Sequence, residues 1–300
     1  MVKPFLKWAG GKGQLLEQID KFLTQELRNG SIKRYIEPFV GGGAVFFYIA
    51  QLYKIDNFFI SDINEELVLA YKTIQKDVES LIRMLFDIQD KYLSLDEEKR
   101  KEYYYHNRLQ FNFRRNKINF QIYGQEWIER TAQLIFLNRT CFNGLFRVNS
   151  KGHFNVPMGR SKKPTICDPK NLRAISNILQ KTHIHCGDFT ECEEWVDSHT
   201  FVYFDPPYRP ISMTANFTSY SKHNFDDLEQ LRLRDFFCKL DKKGAKLILS
   251  NSDPKNENLA DYFFDVAYEG YQIKKVKASR NINSDAQKRG QINELLIMNY

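Results

Sequence analysis

The most constraining feature of this 300-residue chain is an apolar segment that runs straight into glycines and returns, one helix later, to an acid. Tyr35-Ile36-Glu37-Pro38-Phe39-Val40 reads as a strand, and Gly41-Gly42-Gly43 follows it at once. Ala44 to Leu52 has the pattern of a helix, Asn57 to Asp62 that of a second strand ending in a carboxylate, and Glu65 to Ile74 that of another helix. Strand, glycine turn, helix, strand, acid is the opening half of a doubly wound α/β domain. Glycine after the first strand lets the backbone approach a nucleoside-containing ligand closely, and Asp62 lies where a ribose-binding acid belongs. Gly41-x-Gly43 lacks the third glycine of a dinucleotide site, which disfavours a nicotinamide dehydrogenase and leaves a smaller nucleoside cofactor open. A tight turn without any ligand would account for these glycines nearly as well.

The α/β rhythm breaks off and resumes. From about 75 to 140 the chain is helical, charged and aromatic. Then Ser150-Lys151-Gly152, between Leu145–Val148 and His153–Val156, signals a hairpin. His183–Cys186 and Thr200–Phe204 are strand-like again, each ending in an acid-bearing turn. Phe225 to Leu240 is an amphipathic helix with Leu233, Phe236, Phe237 and Leu240 on one stripe. Ala245–Ser250 and Leu295–Met298 are late strands. The expected organisation is an α/β domain over 1–64 and 168–300, interrupted by a mostly helical module over 65–167. Charge singles out the same module. The whole chain carries +7, yet between Tyr103 and Cys167 eleven Lys and Arg face only Glu126 and Glu129, so this stretch is +9 and the remainder −2. A polyanion is the natural partner of such a stretch, although a solvated basic face would look the same.

Asp205-Pro206-Pro207-Tyr208 follows the strongest apolar strand, at the carboxyl edge of the sheet where open α/β folds bind ligands. Two prolines stiffen the turn and remove its amide donors. What remains is a carboxylate acceptor, carbonyl acceptors and an aromatic face. That set suits an exocyclic amine on a flat ring: the acceptors take its protons and Tyr208 stacks on the ring. Such a nitrogen is a poor nucleophile, so the electrophile must be strong, as a sulfonium methyl donor is. A proline-stiffened strand end is the plainer alternative. Lys7-Trp8-Ala9-Gly10-Gly11-Lys12 fails as a P-loop on spacing, but it can present amides and an ammonium to an anion, or form a loose arm. Gly187-Asp188-Phe189 could bind a purine edge and face, or be a plain turn. The five cysteines have no metal or redox spacing and read as reduced and structural. No apolar run approaches the roughly 20 residues that span a bilayer. No signal-peptide stretch precedes Lys12, so the expected location is cytoplasmic.

Taken together, the motifs resemble those of Dam-type DNA adenine-N6 methyltransferases, in which the cofactor motif precedes Asp-Pro-Pro-Tyr. The likeness runs through Phe5–Lys12, Glu37–Gly43, Ser61–Asn64, Asn143–Arg147, Phe154–Pro157, Gly159-Arg160, Asp205–Tyr208 and Phe217–Tyr220. It implies a seven-stranded class I methyltransferase sheet, S-adenosylmethionine as cofactor, no metal, and double-stranded DNA as partner of a monomer or weak dimer. By position it implies that Trp8 and Lys12 hold the cofactor's methionine end and that Asp62 takes the ribose above the Phe39, Gly41 and Gly43 turn. Asp188 and Phe189 would bracket the cofactor adenine. Asp205 and the Pro206 carbonyl would accept the target amine, with Tyr208 stacked on the base and Asp205 also at the cofactor. The 65–167 insert would recognise the target: Arg147 for a guanine, Leu145 and Pro157 for a thymine methyl, Phe142 and Asn143 for the gap left by a flipped base, Lys7 and Arg160 for further DNA contacts. The hairpin resembles that of enzymes methylating adenine in GATC. Ser161, where some relatives carry an aromatic residue, departs from the pattern and leaves the flanking contact open. Arg280 to Arg289 resembles a late basic loop of the family. Cytosine N4, RNA, or a binding module without catalysis are the rival readings.

Overall fold

The apolar runs assemble, in a computed structural model that describes residues 1–209, 225–279 and 291–300, into one mixed sheet. Its strands are β1 (Arg34–Glu37), β2 (Asn57–Asp62), β3 (Thr182–Cys186), β4 (Thr200–Phe204), β5 (Lys246–Ser252), β6 (Gln272–Ser279) and β7 (Gln291–Met298), in the order β3-β2-β1-β4-β5-β7-β6. β1 to β5 are parallel, and β7 runs antiparallel between β5 and β6. The order reverses at β1, which lies between β2 and β4, so a crevice opens beyond the carboxyl ends of β1 and β4. The Gly41–Gly43 turn and the Asp205–Tyr208 turn both leave the sheet there.

Alternation of side chains gives the sheet two dry faces. Ile36, Phe59, Val202, Phe204 and Leu249 pack on α9 (Asp227–Lys242) through Leu233, Phe236, Phe237 and Leu240, the stripe expected from its period. Tyr35, Phe58, Ile60, Phe201 and Tyr203 face the other way, toward α3 (Ala44–Leu52) and α4 (Glu65–Lys76). Short helices α1 (Leu16–Asp20) and α2 (Gln25–Arg28) precede the sheet; α8 (Pro169–Leu179) and α10 (Phe263–Ala267) complete the layers. The helix starts are capped: the side chains of Asn64, Asp168 and Asp226 accept backbone amides at the starts of α4, α8 and α9.

The module between β2 and β3 consists of α5 (Val78–Ser94), α6 (Glu97–Arg114) and α7 (Glu126–Thr140). It shares one apolar core with the α4 face of the sheet. α7 is buried nearly all round, and its Arg130, 2 % exposed, forms a two-point ion pair with Glu66 of α4. The same guanidinium donates to the Phe111 carbonyl and lies 3.4 Å from the centre of the Phe111 ring, joining α6 to the pair. Such a pair holds its place because each of the three guanidinium nitrogens donates and both Glu66 oxygens accept.

Three expectations change in detail. β1 ends at Glu37 rather than Val40, since Pro38 cannot donate to a ladder. β5 runs on through Ser250-Asn251-Ser252, and β6, rich in lysine, has no apolar signal to announce it. The hairpin forms with two isolated bridges, Val148 to Phe154 and Cys141 to Met158, instead of a ladder. Side chains of α6 take its backbone groups: Asn112 exchanges two hydrogen bonds with Phe154 at 2.8 and 3.0 Å, and Tyr104 and Arg108 donate to the Val156 carbonyl. Phe217–Tyr220 and Arg280–Arg289 lie outside the described residues.

Candidate active site

The glycine turn after β1 is shaped by what crowds it. Gly41 and Gly43 have φ of 48° and 75°, a region that L side chains avoid. A Cβ on Gly41 would lie 2.9 Å from Trp8 Cδ1, and one on Gly43 2.5 Å from the Tyr71 hydroxyl. Tyr71 donates to the Gly41 carbonyl at 3.0 Å and so pins the turn from α4. Asp62, at the end of β2, accepts from the Gly41 amide at 3.1 Å and the Asn64 amide at 2.9 Å. Burial nonetheless pushes its carboxyl up to about 6. Next to it, at the end of β3, Asp188 caps the turn Phe189–Trp195 and receives both Arg232 Nη atoms at 2.9 and 2.7 Å. Arg232 therefore holds Asp188 down at about 2. Its guanidinium also covers the Phe189 ring at 4.1 Å, while the partly exposed Phe39 ring lies 5.3 Å from Phe189.

Across the crevice, Lys12 is almost wholly buried, 3 % exposed, at the start of a short turn that packs the N-terminal segment against the sheet. Its Nζ lies 2.7 Å from Asp205 Oδ1, donates to the Gly10 carbonyl at 2.8 Å, and stands 4.6 Å from the centre of the Tyr208 ring. Ser250 Oγ reaches the same Oδ1 at 2.9 Å. Tyr208 donates its hydroxyl to Glu294 of β7 at 2.5 Å. Gln230 of α9 takes the Pro207 carbonyl at 3.0 Å and is itself held by Asn251 at 3.1 Å. Among the described residues no donor reaches the Pro206 carbonyl. Buried Glu37, at the end of β1, accepts from Tyr35 at 2.5 Å, and burial raises its carboxyl well above the usual range.

The N-terminal segment ties this crevice to the basic hairpin. Trp8 stacks on Phe146 with ring centres 5.3 Å apart and planes at 17°. Buried Asn138 of α7 accepts from the Lys7 amide at 2.8 Å and donates to the Lys7 and Gly144 carbonyls at 2.9 and 3.0 Å. Phe142, Asn143, Arg147, Pro157 and Arg160 are exposed on this hairpin, with Leu145 half-buried beside them. Asn143 has φ of 58°, uncommon for a residue with a side chain. Arg147 donates through Nε to Asn155 at 2.8 Å.

Residues 8–282 match the family described as D12 class N6 adenine-specific DNA methyltransferase. The chain belongs to that family. It is 54% identical over 300 residues to the type II methyltransferase M.MjaIII of Methanocaldococcus jannaschii, covering 100% of this chain and 99% of that one. It is 37% identical to the type II methyltransferase M1.LlaDCHI of Lactococcus lactis subsp. cremoris, over 100% and 96% of the two chains. A DNA adenine methylase of Haemophilus influenzae is 33% identical, over 98% and 92%. The chain is an adenine-specific DNA methyltransferase, and its sheet with helical insertions is the class I methyltransferase fold bearing a target-recognition domain. Membership implies dependence on S-adenosylmethionine. Among the described residues no group of acids, histidines and cysteines could hold a metal ion, and no helix is long and apolar enough to cross a membrane.

This D12 methyltransferase brings Trp8, Lys12, Phe39, Gly41, Gly43, Asp62, Asp188, Phe189 and Asp205–Tyr208 to one edge of its sheet, and Lys7 next to the Phe142–Arg160 hairpin. Sequence reasoning missed Tyr71, Arg232, Asn138, Ser250 and Glu294. Ser250 did leave a signal, since polar residues that end an apolar strand are seldom placed without partners. The others are single residues on distant elements, visible only once the chain is folded.

Proposed function

We propose that this methyltransferase transfers a methyl group to N6 of adenine within duplex GATC, after the base has rotated out of the helix. The observation that carries the chemistry is the Asp205 carboxylate, with Lys12 and Ser250 on Oδ1 and with the Tyr208 ring and the Pro206 carbonyl beside it. Asp205 Oδ2 and the Pro206 carbonyl accept the two protons of the target amine. Accepting both favours the pyramidal nitrogen that attack requires, and Tyr208 stacks on the ring. Asp205 acts as an acceptor, and one amine proton passes through its carboxylate to solvent during or after transfer.

The cradle fits S-adenosylmethionine. A side chain on Gly41 would collide with Trp8, Asp62 offers a carboxylate beside the turn, and Phe39 presents an aromatic face. When bound, the cofactor supplies an electrophilic sulfonium methyl. Trp8 and Lys12 hold its methionine end, Asp62 orients the ribose, and Asp188 with Phe189 flanks the adenine. Arg232, already on both of those residues, belongs to the same wall.

The 65–167 insert serves as the target-recognition unit. Extruding a base costs a few kcal/mol, and one aromatic stack returns about 1–3 kcal/mol, so Tyr208 alone does not offset extrusion. Phe142 and Asn143, exposed at the hairpin, fill the vacated stack. Arg147, fixed through Nε, presents its remaining nitrogens to a guanine edge; Leu145 and Pro157 contact a thymine methyl; Lys7 and Arg160 contact the DNA beside the site. The GATC assignment rests on the likeness of this hairpin. The test is plasmid DNA treated with the enzyme, with and without S-adenosylmethionine, then digested with a nuclease blocked by GATC methylation. Cofactor-dependent protection is expected, with N6-methyladenine found by mass spectrometry. Cleavage at every site, or methyl groups on cytosine, would overturn the assignment.

A further inference from the structure

We infer that Ser250 is a positioning residue for Asp205, at the end of a directed relay that starts at Tyr203. Ser250 is fully buried on β5, one strand from the Asp205 turn, and its hydroxyl sits among polar partners there. Its Oγ lies 2.9 Å from Asp205 Oδ1, 3.3 Å from the Phe204 carbonyl and 3.2 Å from the Tyr203 hydroxyl. A serine hydroxyl has one proton, and a carboxylate is the stronger and nearer acceptor, so that proton goes to Asp205. Oγ is then free to accept from Tyr203, whose buried phenol stays protonated. The chain of donors thus runs Tyr203 to Ser250 to Asp205 without a choice of direction.

The consequence is geometric. Lys12 and Ser250 approach the same carboxylate oxygen, Lys12 from the N-terminal segment and Ser250 from β5. Two contacts from different elements fix the plane of the carboxylate and, among the described residues, leave Oδ2 for the substrate amine. Lys12 by itself would fix a distance but not an orientation, because an ammonium is a point charge that donates in any direction. The serine supplies the orientation. This inference rests on the reading of Asp205 as acceptor for the target amine.

Three variants test it with purified full-length enzyme, a GATC duplex and S-adenosylmethionine. Ser250→Ala is expected to lower the single-turnover rate about tenfold, the effect of losing one hydrogen bond to a charged group. The dissociation constants for duplex and cofactor should change less than twofold. Ser250→Thr, which keeps the hydroxyl, should recover most of the rate, which a purely structural role would not predict for the bulkier side chain. Tyr203→Phe removes only one oxygen from the core and should slow turnover about threefold; it decides the matter if Ser250→Ala does not fold. Full turnover in both Ser250→Ala and Tyr203→Phe would overturn the inference, as would equal losses of binding and rate. Asp205→Ala separates the two levels. If it abolishes transfer while Ser250→Ala is fully active, only the positioning role fails; if Asp205→Ala stays active, the acceptor reading fails with it.

Discussion

In the proposed mechanism Tyr208 makes two separable contributions, a ring that stacks on the target base and a hydroxyl bound to Glu294 at 2.5 Å. Tyr208→Ala removes both and is expected to cut turnover about 10- to 100-fold, the worth of one base stack, while duplex binding persists through the hairpin. Tyr208→Phe keeps the ring and should retain most activity; a stopped-flow methylation assay on the two variants checks the order. Asp62 gives a pH prediction. Its folded value of about 6 lies above an ordinary carboxyl near about 4, so the folded protein holds a proton there that the unfolded chain has lost. Stability from this group is therefore full at low pH and is lost as the pH rises from about 4 to 6. Cofactor affinity should move the opposite way, because only the ionised carboxylate accepts two ribose hydroxyls. Calorimetry across pH 5 to 7 should show binding strengthen through about pH 6, and Asp62→Asn should flatten that step. A step unchanged in Asp62→Asn would remove Asp62 from the cofactor site. At this scale the sequence was readable where the residues are consecutive, as in Asp205–Tyr208, which the fold places at the carboxyl edge of the sheet. It was silent where a partner such as Glu294 or Arg232 comes from a distant element.

Among the elements, the hairpin is held by its neighbours as well as by its own backbone bonds. Asn112 of α6 stands in for a missing strand by pairing with both backbone groups of Phe154, and Asn138 of α7 clasps Lys7 and Gly144 together. The turn residues announced a hairpin, but a period-two pattern does not reveal that helix side chains will satisfy its backbone. Gly144 marks the tightest point: it has φ of 66°, and a Cβ there would fall 2.2 Å from Lys7 Cδ. Lys7 has a flexible side chain and can move, yet the backbone strain remains, so Gly144→Ala should displace the reading edge without unfolding the protein. Its expected signature is a loss of discrimination between GATC and single-base variants, with cofactor affinity unchanged. Arg147→Ala makes the sharper comparison. Removing one bidentate base contact should cost about 1–3 kcal/mol at the guanine position alone, whereas Arg160→Ala at the DNA flank should weaken all sequences alike and lower the salt dependence by about one counterion. Competition binding at several salt concentrations distinguishes the two patterns.

At the level of the whole molecule, the doubly wound architecture was legible from the spacing of strands, glycines and acids, and the insert from its composition. What spacing could not convey is how firmly the insert is joined. One apolar core continues from the sheet through α4 into α5, α6 and α7, so the recognition module is packed onto the sheet and shares its core. Arg130 and Glu66 lie within that junction, both nearly without exposure, and Arg130 also binds the Phe111 carbonyl and ring. Glu66 also faces Arg115 Nε at 3.5 Å, so it is removal of Glu66 that leaves its partner, Arg130, as an uncompensated buried charge, a cost of about 3–5 kcal/mol, whereas replacing both Glu66 and Arg130 with apolar groups of similar volume is close to neutral. Glu66→Met should therefore lower the urea midpoint strongly, and Glu66→Met combined with Arg130→Met should restore most of it. Because the pair joins α4 to α6 and α7, the loss in the single variant should appear as one transition, seen equally by far-ultraviolet dichroism and tryptophan fluorescence. Two separated transitions would show that the insert folds as an independent unit. A double variant no more stable than the single one would mean that the Phe111 contacts, and not the Glu66 charge, are what Arg130 contributes.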